Sequence, residues 1–330
     1  MTSMSDLPVL FTTHPLHPAA LARLRGAFRV VEPAALDDAS LIAAARDAEL
    51  MIVRAPLPKS IFAAAPRLRA AIRHGAGLDI VPLPEATKAG VLVTNVPGAN
   101  ARTVAEHVMM VSIMLMRQYR MIDQDMRGGH WHPARARAEQ TGELHGQTLG
   151  IIGYGAIGQA VASMAVHGFG MRVLGFRASS TPMPEHVTRA AIDEVLAQSD
   201  IVVLACPLND ETRGMINHAR LGRMKRSAFL INVARGPVIV EADLIAALQA
   251  GQIAGAALDV FDTQPLPPNH AYRAMQNVVL TPHIAGITAP SMERIALTCA
   301  EQALAILEGK VPRFLVNPDA MPHYRTRFPD

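Results

Sequence analysis

The sequence predicts an α/β protein made of two parallel-sheet layers, and three observations lead there. Short apolar, β-branched runs alternate with helix-patterned stretches from one end of the chain to the other, the mark of strand–helix–strand units with parallel sheets. The 330 residues suffice for two domains. Half of them are hydrophobic and 18% are charged, a balance that builds packed cores and excludes a disordered chain.

Taken in order, the strand runs before residue 100 are 9–12, 28–31, 50–53, 70–73 and 91–94, with a helical pattern at 37–48. Residues 100–126 read as one long helix, because Val104, Val108, Val111, Leu115 and Ile122 recur at spacings of three, four or seven. The stretch 127–147 is polar, rich in Arg, Gly and His, and without period, so a long surface connection is expected there. A second series of buried-type strands follows at 149–152, 172–176, 201–205, 228–232, 254–258 and 278–280. The closing helix, 291–308, is amphipathic, stops at Gly309 with Pro312 just beyond, and is expected to return to the first layer.

Several function classes fall away. A formal charge of +3 with no block of five like charges is not a polybasic surface, and Arg135 with Arg137 is too little for a nucleic-acid stripe. The longest apolar run, 108–116, is about half of the ~20 residues a membrane span needs. Residues 1–8 lack the basic start and apolar core of a leader. Two cysteines, Cys206 and Cys299, form no disulfide framework and suit a reducing cytoplasm. His130 and His132 flank the only tryptophan, Trp131, without an adjoining Cys or acid cluster, so no metal site is expected.

The run 149–152 leads into Gly153-Tyr154-Gly155-Ala156-Ile157-Gly158 and then a helix-forming stretch. This is G-x-G-x-x-G between a strand and a helix, the context in which the pattern means a dinucleotide site. Gly153 permits the tight turn, Gly155 lets backbone approach a pyrophosphate, and Gly158 allows the helix to pack on its strand. The helix start then offers N–H groups and the positive end of its dipole to phosphate. After the second strand an NAD site usually carries Asp or Glu for the ribose 2′-OH. Here the residues are Arg177-Ala178-Ser179-Ser180, with no acid before Glu185. Arg177 and the Ser179 and Ser180 hydroxyls suit a 2′-phosphate, which favours NADP over NAD; an ordinary loop arginine is the competing reading.

Three more segments end predicted strands: Asn232-Val233-Ala234-Arg235-Gly236, Leu258-Asp259-Val260-Phe261-Asp262-Thr263-Gln264-Pro265-Leu266, and Thr281-Pro282-His283-Ile284-Ala285-Gly286. With Asn95-Val96-Pro97-Gly98-Ala99-Asn100, Val104-Ala105-Glu106, Cys206-Pro207-Leu208 and Thr212-Arg213-Gly214, the sequence resembles the D-isomer-specific 2-hydroxyacid dehydrogenase family over nearly its whole length. The resemblance implies two Rossmann-like domains. One is a flavodoxin-like catalytic domain of residues 1–101 and 288–330, and the other a doubly wound NAD(P)-binding domain of residues 102–287.

It also implies roles. Arg235 binds the substrate carboxylate and carbonyl, as a guanidinium fork grips a carboxylate. His283 is the general acid and base. Ala76 and Gly77, in the small-residue loop Gly75–Gly77, receive the carboxylate on their N–H groups, and Arg54 is a candidate contact for larger acidic substrates, a plain surface arginine being the alternative. Cofactor contacts fall on Val104, Ala156, Ile157, Arg177, Ser179, Cys206, Pro207, Thr212, Val233, Ala234, Asp259 and Gly286, with Thr103 the alternative to Val104 and Asp259 accepting from the carboxamide. A homodimer through the helix after Asn100 is implied as well.

One position departs from the family pattern. Gln264 stands where a glutamate orients the histidine, and a neutral amide cannot stabilise imidazolium as a carboxylate does. His283 is therefore expected to titrate lower than in the family pattern. Three readings follow: an enzyme of glyoxylate or hydroxypyruvate reduction in which Gln264 only orients, a formate-dehydrogenase-like oxidation, and a nicotinamide-sensing, corepressor-like binding protein without turnover.

Overall fold

A computed structural model describes residues 7–329, and residues 1–6 of the stretch read for a leader lie outside them. The chain divides into two compact units, Met1–Asn100 with Thr288–Asp330, and Ala101–Ile287.

The first unit holds β1 (Val9–Thr12), β2 (Arg29–Val31), β3 (Leu50–Val53), β4 (Ala70–Arg73) and β5 (Leu92–Thr94), all parallel, in the order β2-β1-β3-β4-β5. Alternate side chains serve opposite faces, as the pleat requires. Leu10, Leu50, Ile52 and Ile72 pack on one side, and Phe11, Met51, Val53 and Ala71 on the other. The first face is covered by the helix Ala289–Leu307 through Ile295, Cys299, Ala303 and Ile306, so the closing helix does return to the first layer. Its start is fixed by Thr288 and Ser291, each side chain accepting from the other's backbone N–H.

The second unit holds β6 (Thr148–Ile152), β7 (Arg172–Phe176), β8 (Thr188–Arg189), β9 (Ile201–Leu204), β10 (Phe229–Asn232), β11 (Gly255–Leu258) and β12 (Val278–Leu280). They form one sheet in the order β12-β11-β10-β9-β6-β7-β8, parallel throughout. The order reverses between β6 and β9, and ligands enter such sheets beyond the carboxyl ends at that reversal.

Two expectations fail here. Residues 100–126 are not one helix: Ala101–Met116 ends and Tyr119–Arg127 begins after Gln118, whose φ is 48°. The Met116 carbonyl accepts instead from the Gly142 N–H at 3.1 Å, which helps end the first helix. Tyr119–Arg127 buries none of its residues, so the in-phase position of Ile122 reflects spacing carried across the break and not a shared core face. Nor is 127–147 a featureless connection. It contains the helix Trp131–Ala138, which buries only Ala134 and is tied back by Arg137 to Asp125 at 3.2 Å. So narrow a buried stripe leaves no period for a sequence to display. The short strand β8 and the helix Met321–Arg327 were also not anticipated.

Candidate active site

The glycine turn sits at the reversal of the second sheet. Gly153 has φ 104°, and a Cβ there would meet the Cys206 backbone nitrogen at 2.4 Å, so any side chain would force the tips of β6 and β9 apart. The N–H groups of Gly153 and Tyr154 both donate to the Phe176 carbonyl at 3.0 Å, which ties the turn to the end of β7. Gly155 is exposed and precedes the helix Ala156–Phe169, whose start has no side-chain cap. A Cβ on Gly155 would meet nothing within 4 Å, so space lies open in front of the first-turn N–H groups of Ala156 and Ile157. Gly158 is buried under that turn, where a Cβ would lie 2.7 Å from the Gly153 carbonyl oxygen. An open cradle before an uncapped helix start fits a pyrophosphate.

Beyond β7, half-buried Arg177 lies close enough to Tyr154 that its charge opposes the upward push of burial on the phenol. Arg189, which sequence reading missed, donates to the carbonyls of Arg177 at 3.1 Å, Ser179 at 2.7 Å and Thr181 at 3.2 Å. It therefore shapes the loop that presents Arg177 and Ser179. Across the reversal, Cys206 is buried and its thiol is pushed up to about 11 by that burial, so it is a packing group and not a thiolate. The Thr212 hydroxyl donates to the Pro207 carbonyl at 2.7 Å and closes the loop that follows.

The chemistry-bearing side chains stand on the tips of β10, β11 and β12. Buried Asn232 accepts from the Ala234 N–H at 3.0 Å and donates to the Arg235 carbonyl at 2.9 Å, which bends the chain so that Arg235 leaves the sheet. The Arg235 guanidinium also donates to the Ala234 carbonyl at 2.7 Å. Gly236 then runs against the next loop so closely that a Cβ would sit 2.1 Å from the Phe261 carbonyl carbon. That contact sets the spacing between the tip that carries Arg235 and the one that carries Gln264. Val233 and Ala234 are buried, and Val104 packs in the same core cluster as Val233 and Ala285.

His283 follows β12 with φ 57°, a left-handed conformation that costs a non-glycine residue about 1 kcal/mol or more. Asp259 holds it there. The Asp259 carbonyl accepts from the His283 N–H at 2.8 Å. Its buried carboxylate accepts from the Thr281 hydroxyl at 2.6 Å and from the N–H groups of Ile284 at 2.8 Å and Ala285 at 2.9 Å. Three of the roughly four acceptor sites of a carboxylate are thus used within the loop. His107, a second residue that sequence reading missed, places Nε2 3.5 Å from the Thr281 hydroxyl. Burial holds its ring below the usual range, and Asp259 pulls the other way.

Gln264 reaches His283. The amide Nε2 donates to the Phe261 carbonyl at 3.2 Å, so Oε1 faces the ring and accepts from His283 Nδ1 at 3.0 Å. A neutral ring must then carry its hydrogen on Nδ1, leaving Nε2 as the atom that exchanges a proton.

In the first unit, the loop after β4 turns its carbonyls inward. Those of His74 and Gly77 accept from Arg73, that of Gly75 from the Val96 N–H at 2.9 Å, and that of Ala76 from Asn95 at 2.8 Å. The N–H groups of Ala76 and Gly77 make no hydrogen bond among the described residues. Arg54 is exposed at the end of β3.

Comparison with known proteins decides the family. Residues 109–285 match the model described as the D-isomer specific 2-hydroxyacid dehydrogenase, NAD binding domain. The chain belongs to that family. A glyoxylate reductase of Thermofilum pendens is 38% identical over 282 residues, covering 84% of this chain and 83% of the relative. One of Aeropyrum pernix is 35% identical over 327 residues, covering 94% and 96%. Among solved structures, the TT0316 protein of Thermus thermophilus matches with TM-score 0.85 at 34% identity, covering 93% of this chain and 99% of that one. The NADPH-dependent glyoxylate/hydroxypyruvate reductase of Sinorhizobium meliloti matches with TM-score 0.84 at 28% identity, covering 94% and 99%. As a member of the D-2-hydroxyacid dehydrogenase family, this protein is an NAD(P)-dependent oxidoreductase acting on 2-oxo and 2-hydroxy acids.

Proposed function

We propose that this dehydrogenase reduces glyoxylate, hydroxypyruvate or a 2-oxo acid of similar size, and that it prefers NADPH. The observation that carries the reading is the grouping of Arg235, Gln264 and His283 on neighbouring strand tips of the sheet that holds the glycine turn. The relatives named as glyoxylate reductases support the substrate size.

The dinucleotide, held by Gly153, Gly155, Ala156, Ile157 and Gly158, supplies a hydride when bound. Arg235 grips the substrate carboxylate and polarises the carbonyl oxygen, stabilising the charge that develops there. His283 delivers a proton to that oxygen from Nε2. Gln264 keeps the ring in register through Nδ1 but adds no charge. Ala76 and Gly77 of the first unit offer N–H groups to a carboxylate. Arg177 and Ser179 receive the 2′-phosphate that distinguishes NADP, and no acid at the tip of β7 opposes it. The remaining cofactor-lining residues are Val104, Cys206, Pro207, Thr212, Val233, Ala234, Asp259, which gives its last acceptor site to the carboxamide, and Gly286.

Two further features belong to the same reading. Met110, Ile113, Tyr119, Met126 and Trp131 are large apolar side chains left exposed on the helices between Ala101 and Ala138, and a second copy of the chain is the proposed partner there. The free, buried cysteines Cys206 and Cys299 suit the cytoplasm. No helix among the described residues is long and apolar enough to cross a membrane.

The test is a screen of the purified protein with NADH and NADPH against glyoxylate, hydroxypyruvate and pyruvate, with formate oxidation included. Turnover of glyoxylate or hydroxypyruvate is expected, with kcat/KM about tenfold or more higher for NADPH, the worth of a charge-assisted phosphate contact. Formate oxidation alone would move the reading to the chemistry that Gln264 also permits. Cofactor binding without any turnover would make the protein a nicotinamide sensor.

A further inference from the structure

The loop between Phe261 and Tyr272 carries Gln264 yet has almost no core of its own. Phe261 and Tyr272 are buried, while residues 262–265 and 267–269 are exposed, and between those two runs only Leu266 packs against the core of the second unit. A cavity of about 570 Å³ adjoins the loop, lined by Gln264, Pro265, Leu266 and Arg273 and, from β12 and its end, by Leu280 and Thr281. Packing therefore does not fix where this backbone stands. Freezing an exposed segment costs conformational entropy at every residue, and hydrogen bonds must meet that cost here.

Both ends of the loop are fixed. At the near end Gly236 lies against Phe261, as described above. At the far end His270 Nδ1 accepts from the Tyr272 N–H at 3.3 Å, so the ring hydrogen sits on Nε2, 3.1 Å from Glu241 Oε1 at the start of the helix Glu241–Gln249. The middle is held by Arg273. Its Nε donates to the Pro267 carbonyl at 2.9 Å and its Nη2 to the Leu266 carbonyl at 2.8 Å. One rigid guanidinium thus grips two consecutive carbonyls, the nearer of them two residues from Gln264. Arg273 forms no ion pair among the described residues, and both of its hydrogen bonds go to this loop.

We infer that Arg273 is a positioning residue for the reaction: by holding the Leu266 and Pro267 carbonyls it sets where Gln264 Oε1 stands, and through Gln264 it sets the orientation of the His283 ring. The inference rests on the role proposed above for Gln264. Without the clamp the loop gains freedom on the side of the cavity, and the 3.0 Å contact between Gln264 Oε1 and His283 Nδ1 is no longer maintained. Arg235 is not affected, because Asn232 ties its strand tip independently. Loss of the clamp therefore weakens proton delivery and leaves substrate binding in place.

The test is a double-mutant cycle on the full chain with NADPH and glyoxylate, comprising Arg273→Met, Gln264→Ala and the pair. Arg273→Met is expected to lower kcat about tenfold, less than the ~100-fold that a displacement near 1 Å costs, and to leave KM for glyoxylate within about twofold. In the Gln264→Ala background the same substitution is expected to cost nothing further, which a merely structural role for Arg273 would not produce. Arg273→Lys, with one ammonium for two carbonyls, is expected to keep part of the rate. A wild-type kcat in Arg273→Met overturns the inference. So does an equal loss in both backgrounds, which leaves Gln264 its role if Gln264→Ala is impaired by itself. Gln264→Ala at the wild-type rate would remove the role of Gln264 and the inference with it.

Discussion

At His283 a strained backbone meets a buried carboxylate and a neutral amide from the loop after the neighbouring strand β11. Asp259 spends three acceptor sites holding the loop, so the left-handed φ of 57° is maintained by the surrounding structure and the ring faces Gln264 without help from its own backbone preference. Gln264 then controls orientation alone. Replacing it with glutamate adds a negative charge 3.0 Å from Nδ1 and favours the protonated ring. Reduction needs that protonated form, so its rate falls as pH rises through the ring's titration. The Gln264→Glu variant is expected to hold its rate of oxo-acid reduction to higher pH than the wild type, by about one unit or more. A pH profile of kcat/KM measures it, and coincident profiles would refute the role given to Gln264.

The strand tips are held in register by backbone contact more than by side chains. Gly236 touches the Phe261 carbonyl carbon so closely that a methyl group must displace the tip of β10 from that of β11. Gly236→Ala is expected to lower kcat/KM about 100-fold or more, since displacements near 1 Å at reacting groups carry that cost, and to destabilise the second unit by about 1–3 kcal/mol. Kinetics with urea unfolding checks both, and wild-type activity in a folded variant would contradict it. The same contact shows what the sequence could reveal. Each strand tip was legible as the end of a short buried run, and the resemblance to the family picked out Arg235, Gln264 and His283 on those tips. The groups that shape those tips were not. Gly236, Arg189 and His107 act through contacts with other loops, which no spacing along one segment displays, and Asn232 acts through side-chain hydrogen bonds to the backbone of Ala234 and Arg235, which residue type alone does not announce. The break at Gln118 was hidden for a related reason: a two-residue interruption preserved the seven-residue phase.

For the whole molecule, the proposed dimer would cover the exposed apolar side chains Met110, Ile113, Tyr119, Met126 and Trp131. Sedimentation is expected to give twice the chain mass of 35.4 kDa, and a Met110→Glu, Trp131→Glu double variant to shift toward the single-chain mass. A wild-type protein sedimenting as one chain would remove that interface. The account as a whole stands on Arg235 and His283 serving one carbonyl group together. The most direct measurement is kcat/KM for glyoxylate reduction in the wild type, Arg235→Gln, His283→Asn and the double variant. Each single variant is expected to lose about 100-fold or more, and the double variant far less than the product of the two losses, because the pair acts as a unit. Near wild-type turnover in either single variant, or losses that multiply in full, would contradict it.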